Sequence, residues 1–122
     1  MQNDIPYYPM YMLHISQLLK GTTPLVILAS LHQEERYGYD IIQAIKQASG
    51  DHLALGEGSV YPILHALERD KYIKSRWVIQ EKGPARKYYA LTAKGKKACS
   101  TSAQQWKSFS LAVSRATHAF GV

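Results

Sequence analysis

The chain has 122 residues, enough for one domain or for one domain with a helical extension. Its hydrophobic content of 46% supports a packed core and excludes a disordered chain. Fifteen Lys and Arg exceed nine Asp and Glu, and the resulting formal charge of +6 favours an anionic partner, nucleic acid first and an anionic membrane second.

Helical patterns occupy the first part of the chain after a stretch that Pro6 and Pro9 keep irregular. One pattern runs over residues 12–19, and "TTPLVILASLHQ" begins another with Pro24 at a favourable first position. The sequence leaves open whether these patterns form one helix or two. The face expected to enter the core consists of Leu25, Leu28, Ala29 and His32.

The next predicted helix lies in "YGYDIIQAIKQASG". Its apolar stripe at helical spacing is formed by Ile41, Ile42, Ile45 and Ala48. Gly50 follows as a left-handed stop, because glycine adopts positive φ without steric cost.

A third helix is predicted in "GSVYPILHALERDK", with its core face formed by Val60, Ile63, Leu64 and Leu67. Its start is open. Ser59 is a good N-cap that places Pro62 in the first turn, whereas a start at Gly56 places Pro62 one turn deeper.

The period then changes to two residues, which indicates strands. In "YIKSRWVIQ", Ile73, Trp77 and Ile79 alternate with polar residues, as expected of a strand with one dry face. "KGPA" supplies a turn, and "RKYYALT" returns with Tyr89 and Leu91 on one side. This two-stranded hairpin must pack on the helices, because two strands alone are marginally stable.

The last helix is predicted to begin at a Thr92 cap and to run to about Phe120. An apolar seam recurs along it at heptad spacing, which is typical of a helix that pairs with another helix. Its a positions are Cys99, Trp106, Val113 and Phe120, and its d positions are Ser102, Phe109 and Ala116. We therefore divide the chain into residues 1–93 and a dimerisation helix, residues 94–122.

The order of three helices, strand, turn, strand and long helix predicts a mainly α fold: a winged helix-turn-helix with a two-stranded β wing. In this fold the third helix enters the DNA major groove. Ser59, Tyr61 and His65 offer hydrogen-bonding groups there, and Pro62 is suited to contact a thymine methyl.

The wing is expected to provide the attraction for DNA. Arg86 and Lys87 begin the return strand in a stretch, residues 83–97, that contains no acidic residue, which favours contact with phosphate or with a narrow minor groove. The cations Lys94, Lys96 and Lys97 are instead interpreted as a solvated first turn of the last helix.

Three segments together resemble the PadR family of bacterial transcriptional regulators: "YGYDIIQAI", "LGEGSVYPILHALERDKYIKSRW" and "GPARKYYALTAKGK". The similarity covers Leu18–Trp106. The single C-terminal helix resembles the smaller PadR subfamily, in which that helix builds a homodimer. The chain departs from the family pattern in Val60, where leucine is commoner, and in "GEGS", where many members have serine and proline.

The resemblance implies a homodimeric repressor whose wings and third helices bind an inverted-repeat operator in double-stranded DNA. The positions that match DNA contacts of the family are Ser59, Tyr61, Pro62, Arg86 and Lys87, with Tyr39 and Lys20 as looser candidates near the backbone. Tyr37 is interpreted as filling a gap between helices. For Tyr61, a packing role and a DNA contact remain equal alternatives.

The resemblance also implies a binding site for a small molecule. Some members of this subfamily bind flat aromatic compounds between subunits through a tryptophan of the C-terminal helix. Trp106 lies at the matching place, and a pair of such rings would sandwich a planar effector. The residues that would line this ligand or dimer interface are Ile15, Leu18, Leu19, Cys99, Phe109 and Val113. The alternative is that Trp106 only fills the dimer core.

No motif for catalysis or cofactor binding accompanies these features. The five histidines are scattered and the single cysteine, Cys99, excludes a disulfide within the chain and a four-thiolate zinc site. "GEGS" lacks the context of a phosphate-binding loop. We therefore expect no enzyme activity and no cofactor.

The sequence further predicts a cytoplasmic protein with no role in a membrane. Its first dozen residues lack the cationic stretch of a secretory signal, and "PLVILASL" is too short to span a bilayer. The leading alternative to a regulator is a winged helix that binds protein and lacks specific DNA binding. A small basic enzyme or a membrane-surface protein has no supporting motif.

Overall fold

The computed structural model describes the backbone of residues 15–122 and the side chains from residue 21 onward. The predicted winged helix-turn-helix with a long C-terminal helix is confirmed. Its elements are α1 (Ile15–Ser30), β1 (Arg36–Tyr37), α2 (Gly38–Ala48), α3 (Glu57–Arg69), β2 (Ile73–Val78), β3 (Arg86–Leu91) and α4 (Ala93–Ala119). The side chains of Ile15, Leu18, Leu19 and Lys20, which were predicted to serve the interfaces, lie outside the described residues.

The first helical patterns form a single helix, α1, which contains Pro24 in its interior. Its buried residues include Ile27 and Leu28, with Thr23 on the same side, and Leu31 directly after the helix is also buried. The predicted core face was wrong for Ala29 and His32, which are exposed. The reason is that α1 packs against both α2 and α4, which turns its larger side chains inward.

The structure shows where α2 ends and where α3 begins. Gly50 follows α2 with φ +61°, as its role as a left-handed stop requires. Gly56, not Ser59, is the N-cap residue of α3, so Pro62 sits one turn deeper in the helix. Val60 and Leu64 of α3 are completely buried, which leaves the opposite side of this helix exposed.

The sheet has three antiparallel strands in the order β1-β3-β2. The predicted hairpin pairs β2 with β3 from Ile73↔Leu91 to Val78↔Arg86. The sequence did not indicate β1, which adds Tyr37 opposite Tyr88. A strand of two residues has no periodicity to detect, and its pairing depends on where α2 begins.

The dry face predicted for β2 ends before the tip of the wing. Ile73 is 2% exposed, but Trp77 is 67% and Ile79 is 89% exposed. The hairpin extends beyond the helices that would cover these side chains. By contrast, Tyr89 and Leu91 on β3 are buried as predicted.

The start of α4 is fixed by a cap and a close contact. Thr92 Oγ1 accepts a hydrogen bond from the Gly95 amide at 3.0 Å and donates to the Lys71 carbonyl at 2.7 Å. Gly95 packs directly on the Tyr72 carbonyl, where a Cβ would lie 3.0 Å from the carbonyl carbon. Cys99, one turn later, is buried in the core as a small apolar side chain.

We predict that Gly95→Ala lowers the free energy of unfolding by about 1–3 kcal/mol, because the new methyl group meets backbone that cannot rotate away. Gly58→Ala is the matched control, since Gly58 is also helical and has open space around its Cα. It should stabilise the protein by up to about 1 kcal/mol. Chemical denaturation at one protein concentration measures both, and equal effects would contradict the packing assigned to Gly95.

Candidate nucleic-acid interface

A cleft of about 430 Å³ separates α3 from the wing, and it brings together side chains that are distant in the sequence. Its lining residues are Tyr37, Gly38, Tyr61, His65, Trp77, Ala85, Arg86, Lys87 and Tyr89. Four of the sequence-predicted DNA contacts therefore share one surface: Tyr61 and His65 from the helix, and Arg86 and Lys87 from the wing.

Tyr61 joins α3 to the first residue of α2. Its ring lies over Gly38, where a Cβ would come within 2.6 Å of the Tyr61 Cζ. Tyr61 is half-buried and packs against the core cluster, while its edge faces the cleft. Tyr61 therefore packs between α3 and α2 in the free protein. Its ring still lines the cleft, so a DNA contact by Tyr61 stays a prediction.

The outward side of α3 is open to solvent. Ser59, Pro62 and His65 are exposed, and all three lie in the first two and a half turns of the helix. Tyr39 is 55% exposed in the first turn of α2, and its ring stacks on Tyr37 at 6.4 Å between centroids. These residues provide hydroxyl, imidazole and apolar groups with little charge.

Arg86 is supported by an aromatic platform on the sheet. Its Cζ lies 4.5 Å from the centroid of the Tyr37 ring, in cation–π contact, and Tyr37 in turn packs on Tyr88 at 5.4 Å. Among the described residues, no carboxylate forms an ion pair with Arg86. Tyr37 thus does more than fill a gap between helices, because it also holds this exposed cation at the edge of the cleft.

Lys87 occupies a different environment from its neighbour. Its Nζ lies 3.4 Å from Glu68 Oε1 and faces the rings of Tyr89 and Trp77 at 5.7 and 6.0 Å. Glu68 Oε2 accepts a short hydrogen bond from the Ser75 hydroxyl. That hydrogen bond, followed by the charge of Lys87, holds the pKa of the Glu68 carboxyl below its usual range despite partial burial.

Two other arginines near the sheet, Arg76 and Arg36, form ion pairs with acidic residues. Arg76 on β2 forms a bidentate ion pair with Glu35, and this hydrogen bonding lowers the pKa of the Glu35 carboxyl. Arg36 donates to the Ser30 carbonyl at 2.7 Å and contacts Glu34 and Asp40. Glu34 and Glu35 thus lie directly before β1 and each pairs with an arginine of the sheet. Spacing could not reveal the pair with Arg76, since 41 residues separate its partners.

The outer part of α4 carries an uncovered apolar seam. Trp106, Phe109, Val113 and Phe120 are 43%, 63%, 47% and 85% exposed, and the Trp106 and Phe109 rings lie 6.3 Å apart. Cys99, the first a position of the seam, is not exposed, because it is buried in the core of its own chain. The fold of one chain therefore leaves this surface in contact with water.

Within residues 15–122, no three His, Cys, Asp or Glu side chains are grouped so that they could hold a metal ion. No helix in the same part of the chain is both long and apolar enough to cross a membrane.

Comparison with known proteins identifies relatives over most of the chain. The model of the transcriptional regulator PadR-like family matches residues 27–101. A PadR-like transcription factor from Bacteroides fragilis is 38% identical, with 83% of this chain and 95% of that chain covered and a TM-score of 0.68. A PadR-like transcriptional regulator from Bacillus cereus is 33% identical, with 83% and 96% covered and a TM-score of 0.72.

A third solved structure includes DNA. Bacillus subtilis PadR, in complex with operator DNA, is 30% identical to this chain, with a TM-score of 0.60. The similarity covers 65% of this chain and 45% of that one. All three proteins are PadR or PadR-like, the same family whose model matches this chain.

We predict that Ser75→Ala raises the pKa of the Glu68 carboxyl toward its usual value, because the largest stabilisation of the charged form is lost. In the parent protein, the lowered pKa of Glu68 adds to the free energy of unfolding at pH values above about 4.3, the pKa of glutamate in an unfolded chain. This contribution is lost as the pH falls through the pKa of Glu68 in the folded protein. A carbon-detected NMR titration of the glutamates measures the shift. Glu35, held by Arg76, is the internal reference and should not move. An unchanged Glu68 pKa would mean that the Ser75 hydrogen bond does not form.

Proposed function

The chain belongs to the PadR-like family of transcriptional regulators, and we propose that it is a homodimeric repressor that binds an inverted-repeat operator in double-stranded DNA. The observation that carries this proposal is the position of Arg86. It is an exposed cation on an aromatic platform, without an acidic partner among the described residues, at the edge of the cleft beside the exposed side of α3.

In this proposal α3 reads base edges in the major groove. Ser59, Tyr61 and His65 donate or accept hydrogen bonds, and Pro62 contacts a thymine methyl. The weak charge of this face suits discrimination between sequences rather than general attraction. Tyr39, exposed at the start of α2, contacts the DNA backbone next to the same groove, since hydroxyl groups are common phosphate ligands.

The wing supplies the attraction to DNA. Arg86 reaches a phosphate or the adjacent minor groove, and the release of condensed counterions from that phosphate contributes affinity. A DNA contact by Lys87 remains a prediction from the sequence, because its Nζ already lies beside Glu68 in the free protein. The operator complex of Bacillus subtilis PadR supports DNA as the partner of this surface.

Two copies of the chain pair through α4. This helix has 27 residues and is about 40 Å long, and the seam of Trp106, Phe109, Val113 and Phe120 along its outer part is exposed in one chain. We propose that residues 1–93 form the DNA-binding unit and residues 94–122 the dimerisation helix. A two-fold dimer would place the recognition helices about 34 Å apart on successive turns of the duplex, which requires an inverted repeat.

The dimer seam also supports an effector site. Two Trp106 rings meeting across the two-fold axis, each flanked by Phe109, would sandwich a planar aromatic molecule and shift the dimer away from the DNA-binding arrangement. Such a ligand would relieve repression in the cytoplasm, where the chromosomal operator is found.

Selection of genomic fragments with the purified protein tests the proposal. A regulator should enrich an inverted repeat and bind it about 10³-fold more tightly than random DNA of equal length. Failure to enrich any sequence would favour the alternative of a winged helix that binds protein. A reporter gene behind the selected fragment distinguishes repression, in which expression falls, from activation.

We predict that Arg86→Ala weakens binding to the selected fragment and to random DNA alike, because a phosphate contact is independent of sequence. The slope of log affinity against log salt concentration should become shallower by about 1.8 for the dimer, since each of its two copies loses one phosphate contact at about 0.9 per phosphate. Lys46→Ala, which removes an equal charge from the far end of α2, is the control and should leave the slope unchanged. Fluorescence anisotropy over a salt series measures both. An Arg86→Ala slope equal to that of the parent would exclude a phosphate contact by this side chain.

We predict that Trp106→Ala weakens the dimer by about 100-fold, because each copy loses a large apolar side chain from the seam. Sedimentation velocity over a concentration series measures the dissociation constant. Leu111→Ala is the matched control: Leu111 is 49% exposed on α4 but lies off the heptad seam. If both variants dimerise like the parent, or lose dimer equally, the seam does not form the interface.

A further inference from the structure

We infer that Glu68 is a positioning residue that fixes the wing to the recognition helix, and that this link sets how strongly the protein discriminates its operator from other DNA. The inference rests on the proposed function, because it concerns how the same surface reads DNA. It assigns to Lys87 a role inside the protein in place of a phosphate contact.

One carboxylate connects three elements of the fold. Glu68 lies near the end of α3, and its two oxygens face different strands of the wing. Oε2 accepts the hydrogen bond from Ser75 on β2, and Oε1 lies 3.4 Å from Lys87 Nζ on β3. Any rotation of the wing about α3 would therefore break at least one of these two contacts.

No second polar connection replaces this link. Within the described part of the chain, no other side-chain hydrogen bond or ion pair joins α3 to β2 or β3. The remaining contact between helix and wing is apolar and lies at the base of the hairpin, where Ile73 and Leu64 are buried. The other contacts of the wing, the pairing of β3 with β1 and the ion pair of Arg76 with Glu35, run to the segment before α2, so beyond the base of the hairpin Glu68 is the polar link between the wing and α3.

The environment of the link makes it stronger than a surface ion pair. The side chains of Glu68 and Lys87 are each only 32% exposed, and the centroids of the Tyr89 and Trp77 rings lie 5.7 and 6.0 Å from the ammonium group. Reduced contact with water limits the screening that weakens exposed pairs. Because Glu68 neutralises it, Lys87 adds little to the attraction for phosphate.

Operator recognition requires the helix and the wing to engage the DNA at the same time. Phosphate contacts by the wing set the register in which the helix meets the base edges. A wing that moves independently would let Arg86 hold DNA of any sequence while α3 is misplaced in the groove. Loss of Glu68 should therefore reduce discrimination between sequences more than it reduces general affinity for DNA.

The test is Glu68→Gln in the full-length protein, assayed on the fragment selected with the parent and on random DNA of equal length. We expect the ratio of the two affinities to fall about tenfold, as for loss of a hydrogen bond to a charged group. Affinity for random DNA should not fall, because Glu68→Gln leaves the charge of Lys87 unneutralised. Ser75→Ala should lower the ratio in the same direction while retaining the carboxylate, and Ser75→Thr, which retains the hydroxyl, should restore it.

Glu35→Gln is the matched control. It removes a carboxylate that also pairs with a wing cation, Arg76, and changes the net charge equally, but Glu35 does not contact α3. Its affinity ratio should equal that of the parent. Circular dichroism and thermal unfolding of each variant at one concentration check that all remain folded at the assay temperature.

Lys87→Met separates a positioning role from a DNA contact. We expect the affinity ratio to fall while the salt slope stays that of the parent, whereas Arg86→Ala makes the slope shallower. The inference is overturned if Lys87→Met also reduces the slope by about 1.8, the value for one phosphate contact in each copy of the dimer, or if Glu68→Gln and Glu35→Gln give the same affinity ratio. A parent protein that does not prefer its selected fragment would instead refute the proposed function, and the inference with it.

Discussion

The burial of Val60 and Leu64 is the constraint on which the proposed DNA-binding surface depends. Both side chains are completely buried among residues of α1, α2 and the sheet, so α3 cannot rotate about its axis without exposing them. Fixing one side of a helix also determines its opposite side. Ser59, Pro62 and His65 are exposed for this reason, and the packing of Tyr61 on Gly38 further fixes α3 against the start of α2.

The charges on this surface differ in how far they are neutralised. Arg76 is paired with Glu35 and Lys87 with Glu68, whereas Arg86 rests on Tyr37, a neutral aromatic ring. An aromatic platform orients a guanidinium group without neutralising it, and Arg86 therefore remains attractive to an anion. The number of cations on the wing overstates its attraction for an anion, because Glu35 and Glu68 neutralise Arg76 and Lys87.

The core of one chain buries the first turns of α4 and leaves most of the side chains that follow exposed. Gly95 and Cys99 join the helix to the core, and the side chains that follow are mostly exposed, including the apolar seam from Trp106 onward. A long helix with one apolar stripe gains its stability from a second helix. The same stripe would bring two recognition helices into a fixed relation, so dimer formation and operator geometry would have one physical cause.

The sequence by itself determined the regular elements and the class of fold. Heptad and helical spacing located α2, α3 and α4, the two-residue period located β2 and β3, and Thr92 and Gly50 marked helix ends, because these signals are local. The tertiary structure alone decided the strand β1, the buried side of α1, and the partners of Lys87 and Arg86. Glu68 and Lys87 are 19 positions apart, and Tyr37 and Arg86 are 49 apart, so no spacing rule connects them. Such contacts follow from how the elements pack, since packing brings distant residues together and decides which charges remain free to bind a partner.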